Sequence, residues 1–344
     1  MKFYIRTFYN PKYGLGNYER VKRFAYYLKK NEKNKVIFLL DTPNKLDDQK
    51  FTNYYIYRKE EKFISDTDDA NRVLKIIKDR NSIIILDDPR LNFVWEKKIN
   101  KIIKNLIIIK DNLHKKHYCK ILINSHASYS SKYWDTPKLN DKYSESTNLL
   151  LGPKYFFKKN IKIIIKKKYL NNKIVKIGLY NGSSGNFLNF LNLIKYSYNK
   201  KLNFKFNIII GNQSKISKKE NYIYEKLGNV KLHFYPKDPE KTLAKNDLVF
   251  LPESMVMMDL SILKIPLIIY NLNKKLDSRL FESLGNYFIF DKTDIENYTH
   301  ICKFIKLLSI NIQRLKKMIN RSAIDSNGCK RVLTSINEKN RKVN

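Results

Sequence analysis

The residues best placed for chemistry lie in two glycine-bearing loops and one acidic pair. The first loop, Tyr13-Gly14-Leu15-Gly16-Asn17-Tyr18-Glu19-Arg20, follows the apolar run Phe3-Tyr4-Ile5. It precedes a segment whose apolar positions 21, 24, 25 and 28 recur at helical spacing. The second, Asn181-Gly182-Ser183-Ser184-Gly185-Asn186, follows a second strand-like run, residues 174–180. Strand, glycine loop and helix together bring an anionic ligand against bare backbone and a helix N-terminus. Glycine has no Cβ, so a phosphate or a sugar can approach the chain closely. The sequence has ten glycines, and four of them (Gly14, Gly16, Gly182, Gly185) sit in these loops, which implies a backbone requirement. The competing reading of either loop is a tight turn between strand and helix. Asp87 and Asp88 end another apolar run, where adjacent carboxylates could hold a shared proton. His126 lies just past the next strand; for it, as for the Asp pair, a cap or loop role competes. The other histidines, His114, His117, His233 and His300, show no metal-ligand spacing. Cys119, Cys302 and Cys329 are scattered, so neither a metal site nor a disulfide framework is expected, and no cofactor is called for.

The elements that must position these residues alternate regularly. Strand-like runs at 3–5, 35–40, 54–57, 82–86, 106–109 and 121–123 are separated by helical patterns at 19–30, 69–78 and 95–104. Ile83-Ile84-Ile85-Leu86 has no polar alternation, as expected of a parallel strand covered on both faces. Polar groups collect just past the carboxyl ends of successive strands, the edge where open α/β sheets bind ligands. Periodicity fails from about 127 to 170, then resumes with strands at 174–180, 206–210, 230–234, 247–251 and 267–270 and a long amphipathic helix near 296–318. This predicts an α/β protein of two doubly wound, Rossmann-like domains facing each other across a cleft. The expected boundaries are 1–150 for the N-terminal domain, 151–173 for a linker, 174–326 for the C-terminal domain, and 327–344 for a polar tail that frays.

With 344 residues and 43% hydrophobic content, the chain can bury two cores. Its net charge of +36 permits attraction to nucleic acid, an anionic membrane surface or a phosphorylated substrate. Lysine spread evenly beside abundant Asn, Ile and Tyr favours a compositional background over a specific polyanion partner, and no nucleic-acid-binding motif accompanies the charge. Contact with a membrane surface through lysines stays open. The N-terminus enters a strand at once without a signal-peptide apolar region, which predicts a cytoplasmic protein.

In its ordered set of motifs the chain resembles the UDP-sugar hydrolases of the pseudaminic acid pathway, GT-B-fold enzymes related to the transferase that makes peptidoglycan lipid II. Gly14-Leu15-Gly16-Asn17-Tyr18-Glu19-Arg20 resembles the family's G-x-G-H-x-x-R. Ile83–Asp87 with Trp95-Glu96, Asp111-Asn112-Leu113 with His117 and Cys119, Leu151-Gly152-Pro153-Lys154-Tyr155, and Leu179–Ser184 are similar to later family segments. The resemblance spans about residues 1–290. It implies a nucleotide sugar, UDP-linked, bound through Gly14, Gly16, Gly182, Ser183, Ser184, Ser254 and Asp259. It also implies a place in bacterial surface-glycan or nonulosonic-acid biosynthesis. The family's catalytic His falls on Asn17 and its Tyr on Pro89. An asparagine amide takes up no proton at neutral pH, so the water-activating base is missing. Hydrolysis, sugar transfer with the leaving diphosphate stabilised by Arg20 and nearby lysines, and binding without turnover all remain compatible with these residues.

Overall fold

The computed structural model describes residues 1–10, 15–42, 51–57, 65–110, 117–125, 147–159, 175–182, 188–211, 218–270, 287–290, 297–318 and 324–341. The chain divides into two compact units, residues 1–158 with 326–344, and residues 159–325.

In the first unit, β1 (Lys2–Phe8) lies at the centre of a seven-stranded sheet. On one side follow β2 (Lys35–Asp41) and β3 (Thr52–Tyr57); on the other, β4 (Ile83–Asp87), β5 (Leu106–Ile109), β6 (Ile121–Asn124) and β7 (Asn148–Leu151). Every neighbouring pair is parallel, with Phe3 and Ile5 opposite Ile83 and Ile85 across the β1–β4 switch. Helices α1 (Gly16–Leu28), α2 (Asp66–Ile76) and α3 (Phe93–Ile102) connect the strands. Successive side chains point to opposite faces of a strand. Accordingly Phe3, Ile5, Ile83 and Ile85 pack with Val21, Phe24 and Leu28 of α1, whereas Tyr4, Ile84 and Leu86 pack with Val73 of α2 and Trp95 and Ile99 of α3. Both faces are dry, which is why these strands read as unbroken apolar runs.

Two segments of this unit differ from their sequence reading. Leu149–Leu151 belongs to an edge strand paired with β6; three apolar residues are too few to show a period. The polar tail is a helix, Gly328–Arg341, which returns to the first unit. Cys329, Val332 and Ile336 are buried in the same core as α1. Arg331 donates a 2.8 Å hydrogen bond to the Lys154 carbonyl. At Gly328 a Cβ would fall 2.0 Å from the Phe156 carbonyl oxygen, so the helix starts where only glycine fits. Polarity concealed a one-sided pattern at 329, 332 and 336.

The second unit repeats the plan in six parallel strands. β8 (Val175–Tyr180) is central, with β9 (Phe204–Ile210) and β10 (Val230–Phe234) to one side and β11 (Leu248–Pro252), β12 (Leu267–Tyr270) and β13 (Tyr287–Phe290) to the other. Its helices are α4 (Leu188–Asn199), α5 (Lys218–Lys226), α6 (Pro239–Leu243), α7 (Met255–Ile262) and α8 (Tyr298–Met318), so the C-terminal helix Gly328–Arg341 is α9. Phe190 and Ile194 of α4 and Ile301 and Ile305 of α8 close one face of this sheet. The strand β13, an apolar Tyr-Phe-Ile-Phe run after Gly285-Asn286, is not among the strands read from the sequence. The expected linker beyond residue 159 lies outside the described residues.

Candidate functional site

At the carboxyl edge of the first sheet, three of the expected site residues form one cluster. Asn17, in the first turn of α1, donates through Nδ2 to Asp87 Oδ1 at 2.6 Å. Arg20, one turn further on, donates from Nε to Oδ2 and from an Nη to Oδ1 of the same carboxylate, both at 2.8 Å. The spacing of three residues puts both side chains on the helix face above the end of β4. Thr7 of β1 donates its hydroxyl to the Asp87 carbonyl at 2.9 Å, tying the two central strands together. Gly16 begins α1 with no heavy atom within 4 Å of where a Cβ would stand; Gly14 lies outside the described residues.

This arrangement corrects two expectations. Arg20 is buried, and its guanidinium is committed to Asp87 rather than standing open for a leaving diphosphate. Asp87 and Asp88 do not share a proton, because neighbouring strand residues face opposite ways and each meets its own arginine. Asp88 accepts from Arg90 Nε at 2.9 Å and an Arg90 Nη at 2.6 Å, and lies 3.4 Å from Arg6. Burial pushes the Asp88 carboxyl up, but the Arg90 hydrogen bonds and the charges of Arg6 and Arg90 outweigh it and hold the group below its ordinary range. Since its folded value is depressed, the stabilisation it contributes is fully present above the unfolded value and is lost as pH falls through the folded one. The melting-temperature gap between the wild type and Asp88→Asn is therefore expected to be widest near neutral pH and to shrink below pH 3.8. A gap that widens on acidification contradicts this pairing.

Beneath Asp88 lies a network centred on the fully buried Arg6 and Asp69. The Arg6 guanidinium donates to Asp69 Oδ1 at 3.2 Å and Oδ2 at 2.5 Å, and the Trp95 indole donates to Asp69 Oδ1 at 2.7 Å. Lys110, past β5, donates its ammonium to the Asp88 carbonyl at 2.5 Å and the Leu91 carbonyl at 2.9 Å. Arg90 reaches Asp41 at the end of β2 at 2.7 Å and covers the Phe8 ring. Glu96 sits 2.8 Å from His117 Nδ1 and accepts from the Tyr118 backbone N–H at 2.8 Å. Trp95 and Glu96, about twenty residues before His117 and Cys119, thus join them as the packed support of this edge. Burial and Glu96 push the Cys119 thiol well up, so it is no nucleophile. His126 lies outside the described residues.

In the second unit, Gly182 follows β8 with φ of +76°, the left-handed region that favours glycine. Tyr270, ending β12, donates its hydroxyl to Asn181 Oδ1 at 2.9 Å and to the Tyr180 carbonyl at 3.2 Å, which fixes the start of this loop. Ser183, Ser184 and Gly185 lie outside the described residues. Ser254 caps α7, its Oγ accepting from the Met257 N–H at 3.3 Å. Asp259 is buried on α7 and accepts from the Lys159 backbone N–H at 3.2 Å. The Lys159 ammonium is held by Asp238 at 2.9 Å and Glu240 at 3.1 Å, so this carboxylate group anchors the chain where it enters the second unit. Sequence reading missed Phe234 and Tyr235, which project from the carboxyl end of β10 at 51% and 55% exposure. Tyr235 has φ of +49°, and the two rings meet edge to face with centroids 6.1 Å apart. Two aromatics ending a strand at the ligand edge were the available signal.

Among the described residues, no group of three or more His, Cys, Asp or Glu side chains comes together to hold a metal, and no helix is long and apolar enough to cross a membrane. Two parallel sheets, each with its first strand central and the order reversing there, define a GT-B fold. MurG of Acinetobacter baumannii is similar in structure, with a TM-score of 0.62 and 13% identity over 98% of this chain and 100% of that one. UDP-GlcNAc 2-epimerase from Neisseria meningitidis, bound to UDP-GlcNAc, gives 0.57 and 12% over 98% and 100%. The lipopolysaccharide outer core galactosyltransferase WaaB gives 0.56 and 15% over 98% and 100%. No family model and no curated protein matches the chain by sequence. At such identities the likeness speaks for the fold.

Proposed function

We propose that the chain is a nucleotide-sugar enzyme that binds a UDP-linked sugar and transfers the glycosyl group to an acceptor hydroxyl rather than to water. The observation that carries this reading is the state of Asn17. By the sequence resemblance it stands where the hydrolases have a catalytic His, and its amide nitrogen donates to a carboxylate already held by Arg20 at two points. The amide has no basicity suited to taking a proton from water, and both Asp87 carboxylate oxygens already accept from Arg20 and Asn17. A hydrolytic step like that of the pseudaminic acid pathway is left without its base. Transfer by the retaining route needs a bound donor, a stabilised leaving diphosphate and an acceptor hydroxyl whose proton passes to the departing diphosphate oxygen as the new glycosidic bond forms, so no protein base is required.

The donor is assigned to the carboxyl edge of the second sheet. The Asn181-Gly182 turn, with Ser183 and Ser184 following it in sequence, supplies close backbone approach to the diphosphate. Phe234 and Tyr235 offer an aromatic surface to the base, and Ser254 and Asp259 flank the same edge at α7. The UDP-GlcNAc bound in the Neisseria epimerase and the galactosyltransferase activity in the name of WaaB support this ligand class and this reaction class. Surface-glycan assembly is the setting that fits.

Calorimetric titration with UDP, CDP and GDP, followed by UDP-release assays on UDP-sugars, tests the proposal. Selective UDP binding and UDP release that depends on an added glycan acceptor are expected. Acceptor-independent hydrolysis at turnover rates would overturn the transfer reading, and binding that ignores the base would overturn the ligand assignment.

A further inference from the structure

We propose that the outer face of helices α4 and α8 in the second unit docks the protein on a bilayer containing anionic phospholipid. Neither helix contains a single Asp or Glu. Asn192 of α4 donates to the Tyr298 hydroxyl of α8 at 3.0 Å, and both helices bury their inner faces in one core, so they form a continuous layer. On α8 the residues Lys303, Lys306, Leu307 and Ile310 fall at i, i+3, i+4 and i+7, a single stripe opposite the buried Ile301, Ile305 and Leu308. Leu307 is 62% and Ile310 73% exposed, the two highest values among the large hydrophobic side chains described. On α4, Lys195 and Tyr198 face solvent, the latter at 48%, and Lys200 and Lys201 follow directly.

Apolar side chains set among lysines, with no acidic neighbour on either helix, fit the boundary between lipid headgroups and acyl chains. Leucine and isoleucine enter the acyl region, lysine stems lie along it while their ammonium groups meet lipid phosphates, and tyrosine sits at the headgroup level. A nucleic acid would use the lysines but gain nothing from two exposed aliphatic side chains. A protein partner would have to bring the acidic complement itself, whereas an anionic leaflet offers it everywhere. Such docking would hold an enzyme near a membrane-borne acceptor, although the surface itself stands apart from the nucleotide-sugar reading.

The test is co-sedimentation of the full chain with phosphatidylcholine vesicles and with vesicles containing phosphatidylglycerol. Binding is expected only to the anionic vesicles. The pair Leu307→Glu/Ile310→Glu is expected to lower the partition coefficient by about tenfold or more, and Lys303→Gln/Lys306→Gln by a similar factor. Val94→Glu, on α3 of the other unit at 52% exposure, serves as the control and is expected to bind like the wild type. Should the Glu pair melt early by circular dichroism, Leu307→Ser/Ile310→Ser reads the same contact without added charge. Absence of vesicle binding, equal loss in Val94→Glu, or anionic binding indifferent to both apolar substitutions would overturn the proposal, the last of these pointing to lysine charge alone. UDP titration of the same variants should be unchanged, which keeps this result separate from the proposed activity.

Discussion

Asp69→Ala is expected to destabilise the first unit by about 3–5 kcal/mol, the cost of breaking a buried ion pair from one side. Both Arg6 and Asp69 are fully buried, and Asp69 takes two bonds from Arg6 and one from the Trp95 indole. Removing the carboxylate would leave the Arg6 guanidinium facing Asp88 at 3.4 Å and strand the indole N–H. Arg6 lies on the central strand and Trp95 on α3, so the loss would loosen the sheet where the candidate site is built. Denaturant melts followed by tryptophan fluorescence would measure it. Asp69→Asn, which keeps hydrogen-bonding atoms but not the charge, should fall between the two. A loss below about 1 kcal/mol, typical of an exposed pair, would contradict a load carried in the dry interior.

The second large effect concerns ligand rather than stability. Gly182→Val is expected to weaken UDP binding by more than about tenfold, or 1.4 kcal/mol, while leaving the melting temperature nearly unchanged. The residue holds φ of +76°, where a β-branched L side chain is strongly disfavoured. No heavy atom lies within 4 Å of a Cβ built there, so the strain has no packed core to disrupt and is relieved by local movement of the turn. That movement takes the backbone N–H groups away from the position proposed for the diphosphate. Asn, which tolerates the left-handed region, should retain more affinity than Val. Calorimetry reads the result directly: unaltered affinity in Gly182→Val removes this loop from the site.

Which features were legible beforehand follows from the range of the forces involved. Parallel strands covered on both faces announce themselves as unbroken apolar runs, as in Ile83–Leu86, and amphipathic helices announce themselves by period, as in α1. The positions of the glycine loops after β1 and β8 followed from the same local signals. The motif residues Trp95, Glu96 and His117 could be picked out, but not what they touch. Two strands beside irregular sequence, β7 and β13, and one mostly polar element escaped: α9 turns Cys329, Val332, Leu333 and Ile336 to the core among polar neighbours.

By itself, then, the sequence determined two doubly wound α/β units, because hydrophobic periodicity is a property of neighbouring residues. It also determined that a neutral amide stands at position 17. Only the tertiary structure decided the fate of the charges. Asp87 and Asp88 are adjacent in sequence, yet the pleat of the strand turns one toward Arg20, 67 residues away, and the other toward Arg6 and Arg90. Arg20 and Arg6, so far from these carboxylates in sequence, leave no periodic trace, and the low dielectric of the interior makes their pairing obligatory once the sheet has closed over them.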